Sequence, residues 1–108
     1  MIEYDKLVRD RIPEIIEKSG KKCIVEVLSD EAYLQYLDRK LGEELAEYQA
    51  DKSLDELADL LEVIYAIANA RCGSVTELEN IRTEKAQKRG GFNDKLLLKG
   101  VYDESTEE

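Results

Sequence analysis

Leu34, Leu37, Leu41, Leu45 and Tyr48 recur at steps of three and four, the spacing that returns a helical side chain to one face. After the short connection "ADKS", Leu57, Leu60, Leu61, Ile64, Ile67 and Ala68 repeat the pattern. Two apolar stripes joined by so few residues bury each other only by running antiparallel, so a helical hairpin is predicted. Cap residues fix its ends: Ser29 or Asp30 before the first stripe, and Ser53 with Glu56 at capping-box spacing before the second. Ser74 with Glu77 repeats that signature after Gly73 and opens a third long helix through about Arg89, stopped by "RGGF". Val63, Tyr65 and Ala66 widen the apolar surface of the second helix, which is therefore expected to be the central, enclosed one.

Outside these helices, Pro13 and Gly20 bracket a short helix carrying Ile12, Ile15 and Ile16. The β-branched run "KCIVEVL" (22–28) and the later "KLLLKGVY" (95–102) read as a small pair of strands. The expected fold is thus all-α or mainly α, an antiparallel helical bundle with a two-stranded element at 22–28 and 95–102. A chain of 108 residues is one domain, 1–108, with an acidic tail at 103–108.

The second constraint is charge. Eight acidic residues fall between Glu43 and Glu62, several within the apolar stripes. Glu44 and Glu47 are three apart, as are Glu56 and Asp59, so each pair shares a helix face. The short turn brings the pairs opposite each other, with no Lys or Arg between them on that face. Carboxylates held together at an apolar interface must be paired, hydrogen-bonded or bound to a cation. An all-oxygen set suits Mg²⁺, with Mn²⁺ as a substitute; Mg²⁺ usually keeps waters and takes substrate phosphates in its remaining positions. A plainer reading stands beside this one: Glu56 also caps its helix, EExxE occurs on many surface helices, and Glu43 and Glu62 read as a solvated face.

Twenty-five acidic residues against 16 basic give a net charge of −9, so neither nucleic acid nor an anionic membrane is an expected partner. The sequence has no His, and Cys23 and Cys72 form no CxxC pair, which argues against a zinc site. No run of 18 uncharged apolar residues and no leader-like h-region appears, so a cytoplasmic protein with reduced thiols is expected. Basic residues cluster in "KLVRDR" and "RTEKAQKR". Arg9, Lys85 and Arg89 are read as phosphate-binding because a metal site implies a polyanion nearby, whereas Lys6 and Arg82 are read as surface charge. A P-loop is absent.

"EELAE" followed by "ELAD" resembles the EExxE…ExxD signature of the MazG-like all-α nucleoside triphosphate pyrophosphohydrolases. "YDKLVRDRIPEII" and "EKAQKRGGF" are similar to the terminal blocks of a branch labelled phosphoribosyl-ATP pyrophosphohydrolase-like, so the resemblance covers residues 4 to about 93. It implies a helical homodimer or dimer of dimers that hydrolyses a nucleotide substrate between its α and β phosphates with Mg²⁺. It also implies Glu44, Glu47, Glu56 and Asp59 as metal ligands, Glu43 as a residue orienting water, and Asn80, Lys85 and Arg89 near the phosphates. Without His, a carboxylate must take the proton from water, and Glu47 is the expected acceptor. Two other readings remain: hydrolysis of phosphoribosyl-ATP in histidine synthesis, and a non-catalytic helical dimerisation or regulatory protein.

Overall fold

The computed structural model describes residues 1–71 and 73–106. Cys72, on which half of the reduced-thiol expectation rests, and the end of the acidic tail at 107–108 lie outside the described residues. The described part is all-α: α1 (Ile12–Lys18), α2 (Asp30–Asp51), α3 (Leu54–Arg71) and α4 (Val75–Arg89), followed by a 3-10 turn at Glu104–Thr106. The chain divides into two compact units, Met1–Leu78 and Glu79–Glu108. Among the described residues no helix is long and apolar enough to cross a membrane.

Each long helix starts where its cap residue sits. Ser29 Oγ accepts the Ala32 N–H at 3.2 Å, Ser53 Oγ that of Glu56 at 3.2 Å, and Ser74 Oγ that of Glu77 at 3.1 Å. Every one of these bonds satisfies an amide that the first helical turn leaves without a partner. The end of α2 is less usual. Lys52 adopts a left-handed conformation (φ 57°), its N–H bonding the Tyr48 carbonyl at 2.6 Å and its Nζ the Gln49 carbonyl at 2.9 Å. A left-handed lysine costs about 1 kcal/mol against glycine, and these bonds to the last turn offset it. The resulting two-residue connection, Lys52 and Ser53, folds α3 back along α2.

In the first unit α2 packs on α3. Leu37, 2% exposed, and Val63, 9%, are the buried apolar side chains of that contact, flanked by half-buried Leu34, Leu41, Ile64 and Ile67. The hairpin is as expected, but the enclosure of α3 is not. Leu54, Leu57 and Leu61 are exposed, because α2 covers only one side of a helix whose apolar residues run nearly all round it.

The two expected strands do not form. Residues 22–28 and 95–102 are irregular, and among the described residues there is no β-strand. Ile24 and Val27 in the first segment and Leu96, Leu97 and Leu98 in the second are largely exposed. A β-branched or apolar run becomes a strand only with a neighbour to complete its ladder, and neither segment has one.

The second unit contains the rest of α4. Gly90, with φ +81°, ends that helix and gives its N–H to the Ala86 carbonyl at 2.8 Å, a backbone position that side chains other than glycine rarely adopt. Residues 91–105 beyond it are exposed.

Candidate metal centre

Because the turn is so short, the last two turns of α2 lie beside the first two of α3, and the acidic pairs meet there. Glu44, Glu56 and Asp59 each offer a carboxylate oxygen such that these atoms lie within 4.8 Å of one another. Around an octahedral Mg²⁺, with Mg–O of about 2.1 Å, opposite oxygens stand roughly 4.2 Å apart. Among three oxygens at most one pair can be opposite and the others close to roughly 3.0 Å, so rotamer adjustments on the order of an ångström would bring the three onto one ion.

Burial makes this cluster different from surface acid. Glu44 is 8% exposed, because it lies within the apolar stripe, between Leu41 and Leu45. Glu44 Oε2 and Glu56 Oε2 are both buried and without a hydrogen-bond partner. Leaving a buried acceptor unmade costs about 1–3 kcal/mol, more when it is charged, so two such atoms side by side need compensation. An all-oxygen donor set with two unsatisfied oxygens fits a hard divalent cation.

The electrostatics agree with the geometry. Burial, then the charge of Glu47, push the Glu44 carboxyl above its ordinary value; Lys40 opposes, while a hydrogen bond with Glu47 and the charge of Asp59 add to the rise. Glu56 is raised for similar reasons, burial first, then the charges of Glu47, Asp59, Asp51 and Glu44. Glu47 stands outside the set of three, exposed but close enough to act on both. Half-buried Glu43 faces Lys40, whose Nζ lies 3.8 Å from Glu43 Oε1 and 3.6 Å from Glu44 Oε1.

Two cations therefore reach a cluster that the sequence suggested had none. Lys40 arrives from one turn earlier on α2, an i,i+4 relation to Glu44 that the spacing already contained. Arg9 arrives from outside the hairpin: its Nη2 donates to Asp59 Oδ1 at 2.7 Å. No local signal could have revealed that pairing, since fifty positions separate the two residues. The side chains of Arg9 and Asp59 are 56% and 37% exposed, so this is an accessible ion pair rather than a buried one. Of the remaining expected phosphate ligands, Asn80, Lys85 and Arg89 are exposed on the part of α4 that belongs to the second unit. Lys85 and Arg89 share a face of it.

A groove of about 340 Å³, lined by Tyr33, Glu62, Tyr65, Ala66, Asn69 and Ala70, opens further along the hairpin. Asp59, Glu62, Ala66 and Asn69 follow at steps of three and four, so groove and carboxylates lie on one side of α3.

No protein-family model matches the chain, and no solved structure matches it. Over 50 residues it is 50% identical to an uncharacterised protein of Mycolicibacterium smegmatis, a match covering 46% of this chain and 51% of that protein. The matched segment thus spans about half the length of that relative.

Proposed function

We propose that the protein is a Mg²⁺-dependent nucleotide pyrophosphohydrolase of the MazG-like kind, cleaving a nucleoside triphosphate between the α and β phosphates. One observation carries the reading: carboxylates from two helices converge with buried, unpartnered oxygens on Glu44 and Glu56. A helical assembly protein with decorative surface acid has no use for that arrangement, since outward-pointing carboxylates would be solvated and cost nothing.

In this reading Glu44, Glu56 and Asp59 hold the metal. Bound there, Mg²⁺ would offset phosphate charge and ease the loss of a proton from water. Glu47, exposed at the edge of the cluster, accepts that proton, and Glu43 orients the water from the neighbouring position. The groove beyond Glu62 takes the nucleoside: Ala66 lies seven residues past Asp59, roughly 10 Å along the helix axis, a suitable distance between a triphosphate and its base. The phosphate role of Asn80 rests on the sequence resemblance alone, and those of Lys85 and Arg89 on that resemblance together with their clustering in the basic run of the sequence. The homodimer, or dimer of dimers, belongs to the same proposal and accounts for Leu54, Leu57 and Leu61 being exposed on a single hairpin.

The test is phosphorus NMR of a nucleotide panel, ordinary and damaged triphosphates together with phosphoribosyl-ATP, incubated with protein and Mg²⁺. Matching signals of a monophosphate and pyrophosphate, abolished by chelation and by E56Q, are expected. Release of inorganic phosphate alone, or no turnover of any panel member, contradicts the proposal.

A further inference from the structure

The segment before α1 is irregular but not loose. Asp5 accepts the Tyr36 hydroxyl at 2.7 Å and lies 3.4 Å from Arg39 Nη1, both on α2. Leu7 and Val8 are half-buried, and Arg9 then reaches Asp59 on α3. Five residues, Asp5 to Arg9, thus strap one helix of the hairpin to the other, and the far end of the strap is a cation seated on one of the three clustered carboxylates.

We infer that Arg9 is a tethered counter-ion, competing with a divalent cation for Asp59 and displaced when the metal binds. This rests on the reading of the carboxylates as a metal centre. Magnitudes decide between displacement and coexistence. A divalent ion roughly 5 Å from a guanidinium disfavours it by more than about tenfold even in a water-like dielectric. An exposed ion pair such as Arg9–Asp59 seldom contributes more than about fivefold. The repulsion is the larger effect, so the guanidinium leaves. It does not go far, because the Asp5 anchor on Tyr36 and Arg39 is untouched and the four Cα steps from Asp5 to Arg9 span at most about 14 Å. Arg9 is thereby a resident charge that quiets Asp59 while the metal is away and remains beside the site, free to bond an anionic ligand, once the metal has arrived.

The experiment is calorimetric titration of Mg²⁺ alone into wild type, R9M and D5N, with Mg²⁺-dependent change in the Arg9 side-chain Nε–Hε resonance followed in parallel. R9M is expected to bind Mg²⁺ up to about fivefold more tightly, the worth of the ion pair that the metal otherwise has to break. D5N, which loosens the anchor without touching the carboxylate cluster, gives a smaller rise and covers the case of R9M folding poorly. In wild type the Arg9 resonance moves as Mg²⁺ is added. Unchanged or weaker Mg²⁺ binding in both variants, with wild type binding normally, overturns the inference and leaves the metal centre standing. Absence of binding in all three proteins overturns both.

Discussion

Glu44 gives the sharpest test of how the site's charge is arranged, because metal ligation and ordinary structure assign opposite signs to its removal. Replacing it with Gln keeps the volume but takes one charge from a position that is 8% exposed and has an unpartnered Oε2. Burial and the charge of Glu47 already push this carboxyl upward, so its ionised form is disfavoured in the metal-free fold. Losing it removes an unsatisfied charged acceptor, a change of about 1–3 kcal/mol, against which stands the loss of the Lys40 contact at 3.6 Å, at most about 1 kcal/mol. The net expectation is a metal-free protein more stable by about 1 kcal/mol, or roughly 4–8 °C in melting temperature for a domain of this size. In wild type, Mg²⁺ should raise the melting temperature by mass action; in E44Q most of that increment should vanish. Scanning calorimetry of both proteins with a chelator and with millimolar Mg²⁺ measures all four values. If E44Q melts well below wild type in chelator, the carboxylate contributes to the fold and the account of this residue is refuted.

The Asp59→Asn change leaves Arg9 unpaired, but Arg9 is more than half exposed; denaturant unfolding should show a loss under about 1 kcal/mol, together with sharply weakened Mg²⁺ stabilisation, and a loss of several kcal/mol would mark a structural acid instead. The raised carboxyls of Glu44 and Glu56 bind protons more readily in the folded than in the unfolded chain. Their contribution to metal-free stability is therefore present below the ordinary Glu value of 4.5 and lost as pH rises through the raised folded values. The wild-type and E44Q stabilities in urea melts without metal should accordingly converge toward pH 4 and separate toward pH 7; curves that stay parallel contradict the assignment. Light scattering should return a multiple of the 12.4 kDa chain mass, and a monomer at all concentrations would remove the dimer from the proposal.

The parts of this architecture legible in the sequence are those set by near neighbours. Ser29, Ser53 and Ser74 each bond the amide three residues on, and such caps depend only on local spacing. The convergence of Glu44 with Glu56 and Asp59 also followed, since a two-residue turn leaves the helices one way to fold. The strands at 22–28 and 95–102 were misread because a β-rich composition states a preference that only a partner strand can realise. The enclosure of α3 failed for the opposite reason: its apolar residues describe what the helix would bury, not what a single hairpin supplies to cover it. Least legible were the cations. Lys40 stands at helical spacing from Glu44 but before the acidic pairs and not between them, and Arg9 reaches Asp59 through tertiary structure alone.

The central claim is that these carboxylates hold a divalent cation, and Mn²⁺ paramagnetic resonance tests it most directly, because free Mn²⁺ gives a six-line signal that is lost on binding. Titrated with wild-type protein at neutral pH, the signal should fall in proportion to protein added and return when excess Mg²⁺ competes. E56Q should leave it nearly unchanged. A free Mn²⁺ signal that wild-type protein does not diminish, with or without a nucleoside triphosphate to complete the coordination shell, would contradict the account.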